Sequence, residues 1–296
     1  ELVKMDRFDM LFNDSGVKKD FLARNSNLTT EQIDLLYSTE GVDKDNLAHY
    51  PKLTDKQFNL FFNDSDVPKN HLAQNPNLTT EQIDLLYFTE GVNKDDLAQY
   101  SKLTDEQFNL LFNHEDVGKN YLAMNPNLTT EQIDLLYSTK GVDKDYLAQN
   151  SKLTDEQFNR LYGDSEVDNN HYLSRNPNLT TEQIDLLYSI KDVDKDYLAK
   201  YPKLTDEQFN RLFNNEDVNI NYLAQNSHLT PEQIDLLYST VGGNKNYLAS
   251  DSKLTDEQFN RFFNDKDVDK DYLTYNPSIN PLHLKKWQAG IFNWSW

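Results

Sequence analysis

Histidine is the residue type in this chain best suited to acid–base catalysis or metal binding, and its six copies are scattered. Metal centres and catalytic sites need two or more such groups brought together by a defined spacing, and these histidines show none. The chain also contains no glycine-rich phosphate loop, no nucleophile elbow and no His-Glu-x-x-His motif. We therefore predict that the protein is not an enzyme and holds no metal and no cofactor. The histidines are His49, His71, His114, His171, His228 and His283.

The acidic stretch NDKDVDKDY, residues 264–272, superficially resembles a calcium-binding loop because aspartates alternate along it from Asp265. A helix–loop–helix calcium site needs glycine at its sixth position and glutamate at its twelfth. Lys270 and Asn276 stand there instead. We therefore predict solvated loop carboxylates here. The absence of cysteine excludes disulfides and thiolate metal sites.

One column of apolar residues is a candidate partner-binding stripe. It follows the repeated Asp or Asn of a helix, and it carries leucine in the first half of the chain and arginine in several later repeats. A position that accepts arginine in a stacked array is at least half exposed, and a row of exposed leucines is typical of partner surfaces. The alternative is that these leucines seal neighbouring repeats and that arginine lays its stem over the same seam. This leucine column comprises Leu35, Leu60, Leu85, Leu110, Leu135, Arg160, Leu186, Arg211, Leu236 and Arg261, and its first five members are candidate site residues.

A second column, directly before the repeated Leu-Ala pair, is a candidate grip for an extended peptide. Tyrosine gives a large contact area with little loss of side-chain entropy. The alternative is ordinary packing between repeats, with each hydroxyl at the rim. This tyrosine column comprises Phe21, Asn46, His71, Asp96, Tyr121, Tyr146, Tyr172, Tyr197, Tyr222, Tyr247 and Tyr272, and its candidate site residues are Tyr121, Tyr146, Tyr172, Tyr197, Tyr222 and Tyr247.

All three tryptophans lie in the C-terminal stretch KKWQAGIFNWSW, residues 285–296. Such a tail suits either capping of the last repeat or docking onto another chain. Trp294 and Trp296 are therefore further candidate partner-binding residues.

These columns recur because the chain is a tandem repeat. An apolar residue opens each unit, and the step between units is 25 residues, with one step of 26 from Leu153 to Leu179. Alternate units read LTDEQFNRLF and LTTEQIDLLY, which indicates duplication of a two-unit segment. The opening residues are Val3, Leu28, Leu53, Leu78, Leu103, Leu128, Leu153, Leu179, Leu204, Leu229, Leu254 and Ile279.

Each unit carries the signals of two short helices. Thr79 fits an N-cap, with Gln82 three residues on to complete a capping box. Pro231 stands one position after the equivalent cap, where its missing N–H costs nothing. A second helix is expected within 66–76, with Asp66 as its cap and a turn at its end. One extra residue between repeats, just before Leu173, is expected either to bulge the second helix of that unit or to offset the superhelix.

A single unit buries too few large apolar side chains to offset the entropy of ordering it, so units must stack. We predict an all-α solenoid of about twelve two-helix repeats in one domain, 1–296. A degenerate unit occupies 1–27, regular repeats occupy 28–278, and a C-terminal cap with the tryptophan-rich tail occupies 279–296. At helix spacings of about 8–10 Å, such an array is a curved rod roughly 100–120 Å long.

The phrase LAQNPNLTTEQIDLL, residues 72–86, resembles the leucine-rich repeat variant family and, more loosely, HEAT-like helical repeats. The resemblance extends over nearly the whole chain, and it implies a right-handed solenoid that pairs an α-helix with a short 3₁₀-type helix. The family's Val-Arg is replaced by Val-x-Lys, as at Val142 and Lys144, and without cysteine the iron–sulfur domain of some members is excluded. The resemblance implies little about function. The matching residues are Leu72, Ala73, Asn75, Pro76, Asn77 and Leu86.

The charge balance excludes several classes of partner. The chain has 29 Lys and Arg against 49 Asp and Glu, a net charge of −20. Such a chain repels phosphate, so we expect neither direct nucleic-acid binding nor attachment to anionic membranes. It also lacks an apolar run of the length needed to span a bilayer, about 18 residues.

Three functions remain open. The leading hypothesis is a non-enzymatic repeat scaffold that binds a protein partner through its groove or its exposed stripe. The first alternative is an acidic nucleic-acid mimic that inhibits a DNA-binding or defence enzyme, since acids recur along the rod, as at Glu81, Asp84, Glu131 and Asp134. The second alternative is a structural component of a larger assembly, such as a viral particle, for which near-identical units and a tryptophan-rich end are suited.

Overall fold

The protein is built from paired helices. The computed structural model describes residues 6–150, 152–168, 171–240 and 245–279, and every regular element in these ranges is helical. The helices form eleven pairs, each with a longer first helix and a shorter second element. The predicted all-α array of 25-residue, two-helix repeats is therefore confirmed.

The first helices are α1 (Arg7–Phe12), α3 (Thr30–Tyr37), α5 (Asp55–Asn63), α7 (Thr80–Tyr87), α9 (Asp105–Phe112), α11 (Thr130–Ser138), α13 (Asp155–Tyr162), α14 (Thr181–Tyr188), α16 (Asp206–Phe213), α18 (Pro231–Thr240) and α20 (Asp256–Asn264). The second helices are α2 (Lys19–Leu22), α4 (Lys44–His49), α6 (Lys69–Ala73), α8 (Lys94–Tyr100), α10 (Lys119–Ala123), α12 (Lys144–Asn150), α15 (Lys195–Lys200), α17 (Ile220–Ala224), α19 (Lys245–Asp251) and α21 (Lys270–Leu273). A 3₁₀ turn, Leu173–Arg175, is the second element of pair seven, and another, Pro277–Ile279, follows α21.

The second elements differ from what the family resemblance implied. In the described pairs they are short α-helices, except in pair seven, where the extra residue of the sequence falls and the element is a 3₁₀ turn. The insertion thus tightens the second element at one place in the array. The handedness of the solenoid stays a prediction.

The first helices begin where the sequence predicted. Thr79 accepts a hydrogen bond on its hydroxyl from the backbone N–H of Gln82 (3.3 Å), and the Gln82 side chain accepts from the N–H of Thr79 (3.1 Å). The same glutamine also donates to Asp55 Oδ1 of the preceding pair (3.0 Å). One residue therefore both caps its own helix and joins two pairs.

The second helices begin later than predicted, and Asp66 is not their cap. Helix α6 starts at Lys69 after Pro68, whereas the backbone N–H of Asp66 donates to Asp64 Oδ1 (3.0 Å) within the preceding turn. At the position equivalent to Pro68, other pairs carry a true capping residue such as Asp43. The turn at the end of the first helix therefore occupies the acidic residue that the sequence pattern had assigned to the cap.

The hydrophobic core lies between the two helix layers and is continuous from pair to pair. In pair four, Ile83 and Leu86 of the first helix are buried, and in pair three Leu72 and Ala73 of the second helix are fully buried. The equivalent residues are buried in the other described pairs. The core therefore shares its surfaces between neighbours, as expected for units that cannot fold alone.

In every second pair, a buried asparagine joins that pair to the one directly before it. Asn75 Nδ2 donates to the carbonyl oxygens of Ala48 (2.7 Å) and Pro51 (2.9 Å), which satisfies acceptors at the end of the preceding second helix. The same bond is made to the equivalent alanine by Asn125, Asn176, Asn226 and Asn276.

The two ends of the described chain meet, and their contacts repeat those between neighbouring pairs. Lys270 Nζ of pair eleven lies 2.5 Å from Asp14 Oδ2 of pair one, just as Lys44 Nζ lies 2.8 Å from Asp64 Oδ2. Each of these two lysine–aspartate contacts joins the start of one second helix to the loop of the next repeat. Pair one therefore takes the place of the neighbour that follows pair eleven.

Two further contacts have the same register. The backbone N–H of Lys18 donates to Asp271 Oδ1 (3.1 Å), and Asn25 Nδ2 donates to the carbonyl oxygens of Thr274 (2.7 Å) and Asn276 (3.1 Å). These bonds link residues about 250 positions apart in the chain. The eleven described pairs therefore form a closed ring, and the array curves back on itself instead of extending as the curved rod that we expected.

Packing within the layers shows which one lies inside. Successive second helices, such as α4 and α6 or α15 and α17, pack directly on one another, whereas successive first helices lie further apart. A closed ring places its more closely spaced layer on the inside. At a spacing of about 8 Å, the axes of eleven second helices lie on a circle about 28 Å across, and about 10 Å for a helix with its side chains leaves an opening roughly 18 Å wide.

We call the interface between two neighbouring pairs a seam. The seam that closes the ring, between pairs eleven and one, differs from the others. Repeats alternate between two types, so an odd number of pairs brings two repeats of the same type together. There Arg7 stands where other pairs have the capping glutamine; its guanidinium donates to Asp256 Oδ1 (2.8 Å) and to the carbonyl oxygen of Ser278 (2.8 Å), and it stacks over Phe259 (4.8 Å). A residue that departs from the repeat thus fits the one irregular seam.

Candidate functional site

The second helices present one face to the core and the opposite face to the opening. On α6, Leu72 and Ala73 are buried, while His71 and Gln74 lie on the far side of the helix and are partly exposed. His71 belongs to the tyrosine column. The tyrosine column and the position three residues after it therefore line the opening, and we call this surface the inner wall.

Neighbouring side chains on the inner wall converge, as expected for a concave surface. The ring of His49 lies 6.2 Å from the ring of Tyr100, although the two residues belong to pairs two and four. His49 also contacts Tyr50 at 4.2 Å. Contacts that skip a whole repeat require strong inward curvature.

From pair five onward the inner wall is aromatic. Tyr197 and Tyr222 of successive pairs meet edge to face with ring centroids 6.1 Å apart. Tyr121 is 40% exposed, and Tyr272, at the other end of this arc, is 36% exposed. The predicted tyrosines Tyr121, Tyr146, Tyr172, Tyr197, Tyr222 and Tyr247 therefore lie on consecutive second elements, partly buried by their neighbours and partly open to the ring interior.

An arginine stands in the middle of this aromatic arc. The Arg175 guanidinium lies 4.1 Å above the ring of Tyr197 and donates to that residue's hydroxyl. It also reaches His171 Nε2 (2.6 Å) and Gln149 Oε1 (3.3 Å). Since arginine can only donate, this histidine nitrogen is the acceptor in the contact.

From pair two to pair four the inner wall is polar instead. His71 Nδ1 lies 3.6 Å from Asp45 Oδ2, and Gln74 bridges His49 Nδ1 (3.1 Å) to Asp96 Oδ1 (3.3 Å). Burial lowers the pKa of His49 and raises the pKa values of Asp45 and Asp96. Each shift favours the neutral form of its group, and the arc offers hydrogen-bonding groups in place of aromatic rings.

The leucine column lies on the opposite, outer layer, because its members belong to the first helices. Each candidate leucine is about two-fifths exposed; the values are Leu35 42%, Leu60 44%, Leu85 44%, Leu110 43% and Leu135 40%. The column is therefore exposed, but by somewhat less than the half that we predicted. Between α9 and α11 the outer layer opens into a groove of about 350 Å³ lined by Phe108, Gln132 and Leu135.

The arginines of the leucine column lie across seams between pairs. Arg160 Nη2 lies 2.5 Å from Asp134 Oδ1 of the preceding pair, and its guanidinium stacks 4.1 Å above the ring of Tyr137. Arg211 and Arg261 repeat this contact. At these positions the structure agrees with the alternative that the column covers the seams.

The two predicted columns therefore do not form one surface: the tyrosines line the opening and the leucines face outward. Trp294 and Trp296 lie outside the described residues. Sequence reasoning missed Arg175, which takes a position filled by other residue types in neighbouring repeats. It also missed Phe88, which is 78% exposed and stands where the equivalent repeats have serine.

Among the described residues, no group of three or more histidine, aspartate or glutamate side chains is arranged to hold a metal ion. In the same part of the chain, no helix has the length and apolarity needed to cross a membrane.

Comparisons with protein-family models, with curated proteins and with solved structures give no match for this chain. The resemblance to leucine-rich repeat variant proteins stays a prediction. The function must therefore be argued from the ring and its two surfaces.

Proposed function

We propose that this protein is a non-enzymatic binding ring that holds an extended segment of a protein partner against its inner wall. The observation that carries the proposal is the run of tyrosines on consecutive second elements, all directed to one concave surface. Tyrosine combines a rigid apolar ring with a hydroxyl that donates and accepts, which suits peptide recognition at low entropic cost.

The dimensions agree with such a ligand. An opening roughly 18 Å wide admits an extended chain about 10 Å across, side chains included. The inner wall also changes character along its circumference, from the polar arc around Gln74 to the aromatic arc around Tyr222. A partner with one polar and one aromatic or apolar edge matches both arcs.

The two alternatives gain no support from the ring. The acids that suggested a nucleic-acid mimic, such as Glu81 and Asp84, lie on first helices and follow the outside of a closed circle. A duplex mimic needs charges along a nearly straight line, and Asp134 is already paired with Arg160. The tryptophan-rich end that suited a structural component of a larger assembly lies outside the described residues.

The test compares partner capture by the wild type and by two double variants. Tyr121→Ala/Tyr247→Ala removes aromatic area from the inner wall, and Leu186→Ala/Leu236→Ala removes apolar area from the outer layer. Proteins captured from the native source are identified by mass spectrometry, and their affinities are then measured with purified partner. We expect the tyrosine variant to lose at least about tenfold in affinity and the leucine variant to bind normally. Equal binding by the tyrosine variant and the wild type would exclude the inner wall.

A further inference from the structure

Two seams of the outer layer have the aspartate and the tyrosine that hold an arginine elsewhere in the chain, but carry leucine in place of that arginine. At three seams an arginine of the leucine column is held by an aspartate and a tyrosine of the preceding pair: Arg160 by Asp134 and Tyr137, Arg211 by Asp185 and Tyr188, Arg261 by Asp235 and Tyr238. In each, the guanidinium lies 2.5 Å from the carboxylate and 4.1–4.2 Å above the tyrosine ring.

The two equivalent seams in the N-terminal half keep this aspartate and tyrosine but carry leucine instead of arginine. Asp34 and Tyr37 precede Leu60, and Asp84 and Tyr87 precede Leu110. Both aspartates are exposed. Leucine brings no charge to the carboxylate and no cation to the tyrosine ring, so both sites have their recognition groups without their cation.

Two contacts of the arginine-bearing seams recur at these seams. Asp84 Oδ1 accepts from Gln107 Nε2 (2.7 Å), as Asp134 Oδ1 accepts from Gln157 Nε2 (2.9 Å). A lysine contacts one tyrosine ring in both cases: Lys44 lies 4.6 Å from Tyr37, and Lys144 lies 4.7 Å from Tyr137. The aspartate, the glutamine bonded to it and the tyrosine are therefore retained where the arginine is absent.

We infer that the outer arc formed by α3, α5, α7 and α9 binds a protein segment that inserts two arginine side chains into the sites Asp34–Tyr37 and Asp84–Tyr87. The segment is expected to carry apolar residues between its arginines, because Leu60, Leu85 and Phe88 lie exposed between and beside the two sites. This surface is separate from the inner wall, and the inference stands whether or not the inner wall binds a peptide.

Charge decides between possible occupants. A second copy of this chain carries the same net charge of −20 and is repelled at long range, whereas a basic segment is attracted. Arginine is favoured over lysine because its planar group can hydrogen-bond to a carboxylate and stack on an aromatic face at the same time. The two sites are two repeats apart on the outer layer, about 25 Å, which an extended chain spans in about eight residues.

The experiment uses two labelled ten-residue peptides of alternating Thr and Val, one with arginines eight residues apart and one with lysines at the same positions. Their affinities for the full chain are measured by fluorescence anisotropy at several salt concentrations. We expect the arginine peptide to bind about tenfold more tightly than the lysine peptide at each salt concentration. Equal affinities for the two peptides would overturn the inference.

Two matched double variants locate the binding. Leu60→Arg/Leu110→Arg rebuilds at both sites the arrangement already present at Arg160, so it folds, and it should abolish the preference for the arginine peptide. Leu135→Arg/Leu186→Arg adds the same charge in the same column, but there the preceding residue is Asn109 or Asn159 in place of aspartate. It should keep the preference. An equal loss in both variants would show a nonspecific effect of charge and would overturn the inference. Asp34→Asn/Asp84→Asn should also lose the preference for the arginine peptide, and this variant leaves the leucines of the column unchanged.

Discussion

At the scale of single residues, three aspartates at the seams form equivalent contacts with a lysine and a tyrosine. Asp64 accepts hydrogen bonds from Lys44 Nζ (2.8 Å) and from the Tyr37 hydroxyl (2.8 Å). Hydrogen bonds from lysine, from tyrosine and from a backbone N–H hold the pKa of this carboxyl at about 2. Asp164 and Asp265 make the same contacts, and their pKa values are also about 2.

These shifts predict loss of stability in acid. A folded-state pKa below the ordinary value of 3.8 stabilises the fold above that value, and this contribution is lost as the pH falls from about 4 to about 2. Because water screens contacts so near the surface, we expect about 1 kcal/mol per site. The free energy of unfolding should fall across this window in the wild type, and the fall should be smaller in Asp64→Asn/Asp164→Asn/Asp265→Asn.

One repeat of the chain already carries asparagine at the position that this variant changes. At one seam Asn215 replaces the aspartate, and its Nδ2 donates to the Tyr188 hydroxyl (2.7 Å). The triple variant should therefore fold. Its control is Asp192→Asn, which removes an exposed carboxylate and should leave the pH dependence unchanged. A triple variant that loses as much stability between pH 4 and pH 2 as the wild type would contradict this assignment.

At the scale of helices, the first position of a first helix accepts either threonine or proline in this chain. Helix α18 begins with Pro231 where the equivalent repeats have threonine. The residue before this position, such as Thr79 with φ −77° and ψ 163°, already has the extended conformation that precedes proline. Proline is therefore compatible with the backbone at these threonines.

We predict that Thr80→Pro/Thr130→Pro/Thr181→Pro stabilises the protein. Proline at the first helical position loses no hydrogen bond and restricts the unfolded chain, which contributes about 0.4–1 kcal/mol per site. Chemical denaturation of the wild type and the variant measures the difference. The control Leu85→Pro places proline inside α7 and should destabilise by about 3 kcal/mol. A triple variant that is less stable than the wild type would show that these helix starts are not equivalent to that of α18.

Some features of the helices could be predicted from residues close together in the sequence, and others could not. The capping box of Thr79 and Gln82 and the alternation of repeats follow from residue types at short spacing, and the sequence predicted them. The start of the second helix was misplaced because Asp66 and the position of Pro68 are both near the turn, and the sequence does not show which one the turn uses. The exposure of the leucine column was predicted from the arginines that share it.

At the scale of the whole molecule, closure of the ring was not predicted. A closed ring of eleven pairs needs a rotation of about 33° per repeat. That rotation follows from the difference in spacing between the two helix layers, and no residue spacing encodes it. The contacts that close the ring join residues about 250 positions apart, such as Lys18 and Asp271. The one sequence signal was Arg7, which breaks the glutamine column at the closing seam.

The sites likewise divide by scale. That tyrosines form a column was visible in the sequence, but their position on the inside of a ring depends on closure. In the sequence, the two arginine-binding sites inferred on the outer layer are marked only by Leu60 and Leu110, because the aspartate and tyrosine of each site come from the preceding repeat. Recognising them required the contact seen at Arg160.

The central claim, that the chain closes into a ring, is tested by one distance. The chain has no cysteine, so pairs of cysteines can be introduced and spin-labelled without background. Ser15→Cys/Lys266→Cys places labels in exposed loops of pairs one and eleven, and Ser65→Cys/Glu90→Cys places them at the equivalent positions of two neighbouring pairs within the array. Double electron–electron resonance then gives both distance distributions.

A closed ring predicts the same short distance for both pairs of labels, below about 25 Å, because Ser15 and Lys266 are neighbours across the closing seam. An open array predicts the short distance only for the pair at 65 and 90, and a separation approaching 100 Å for the pair at 15 and 266. The first result would confirm the ring on which the inner wall depends. The second would contradict it.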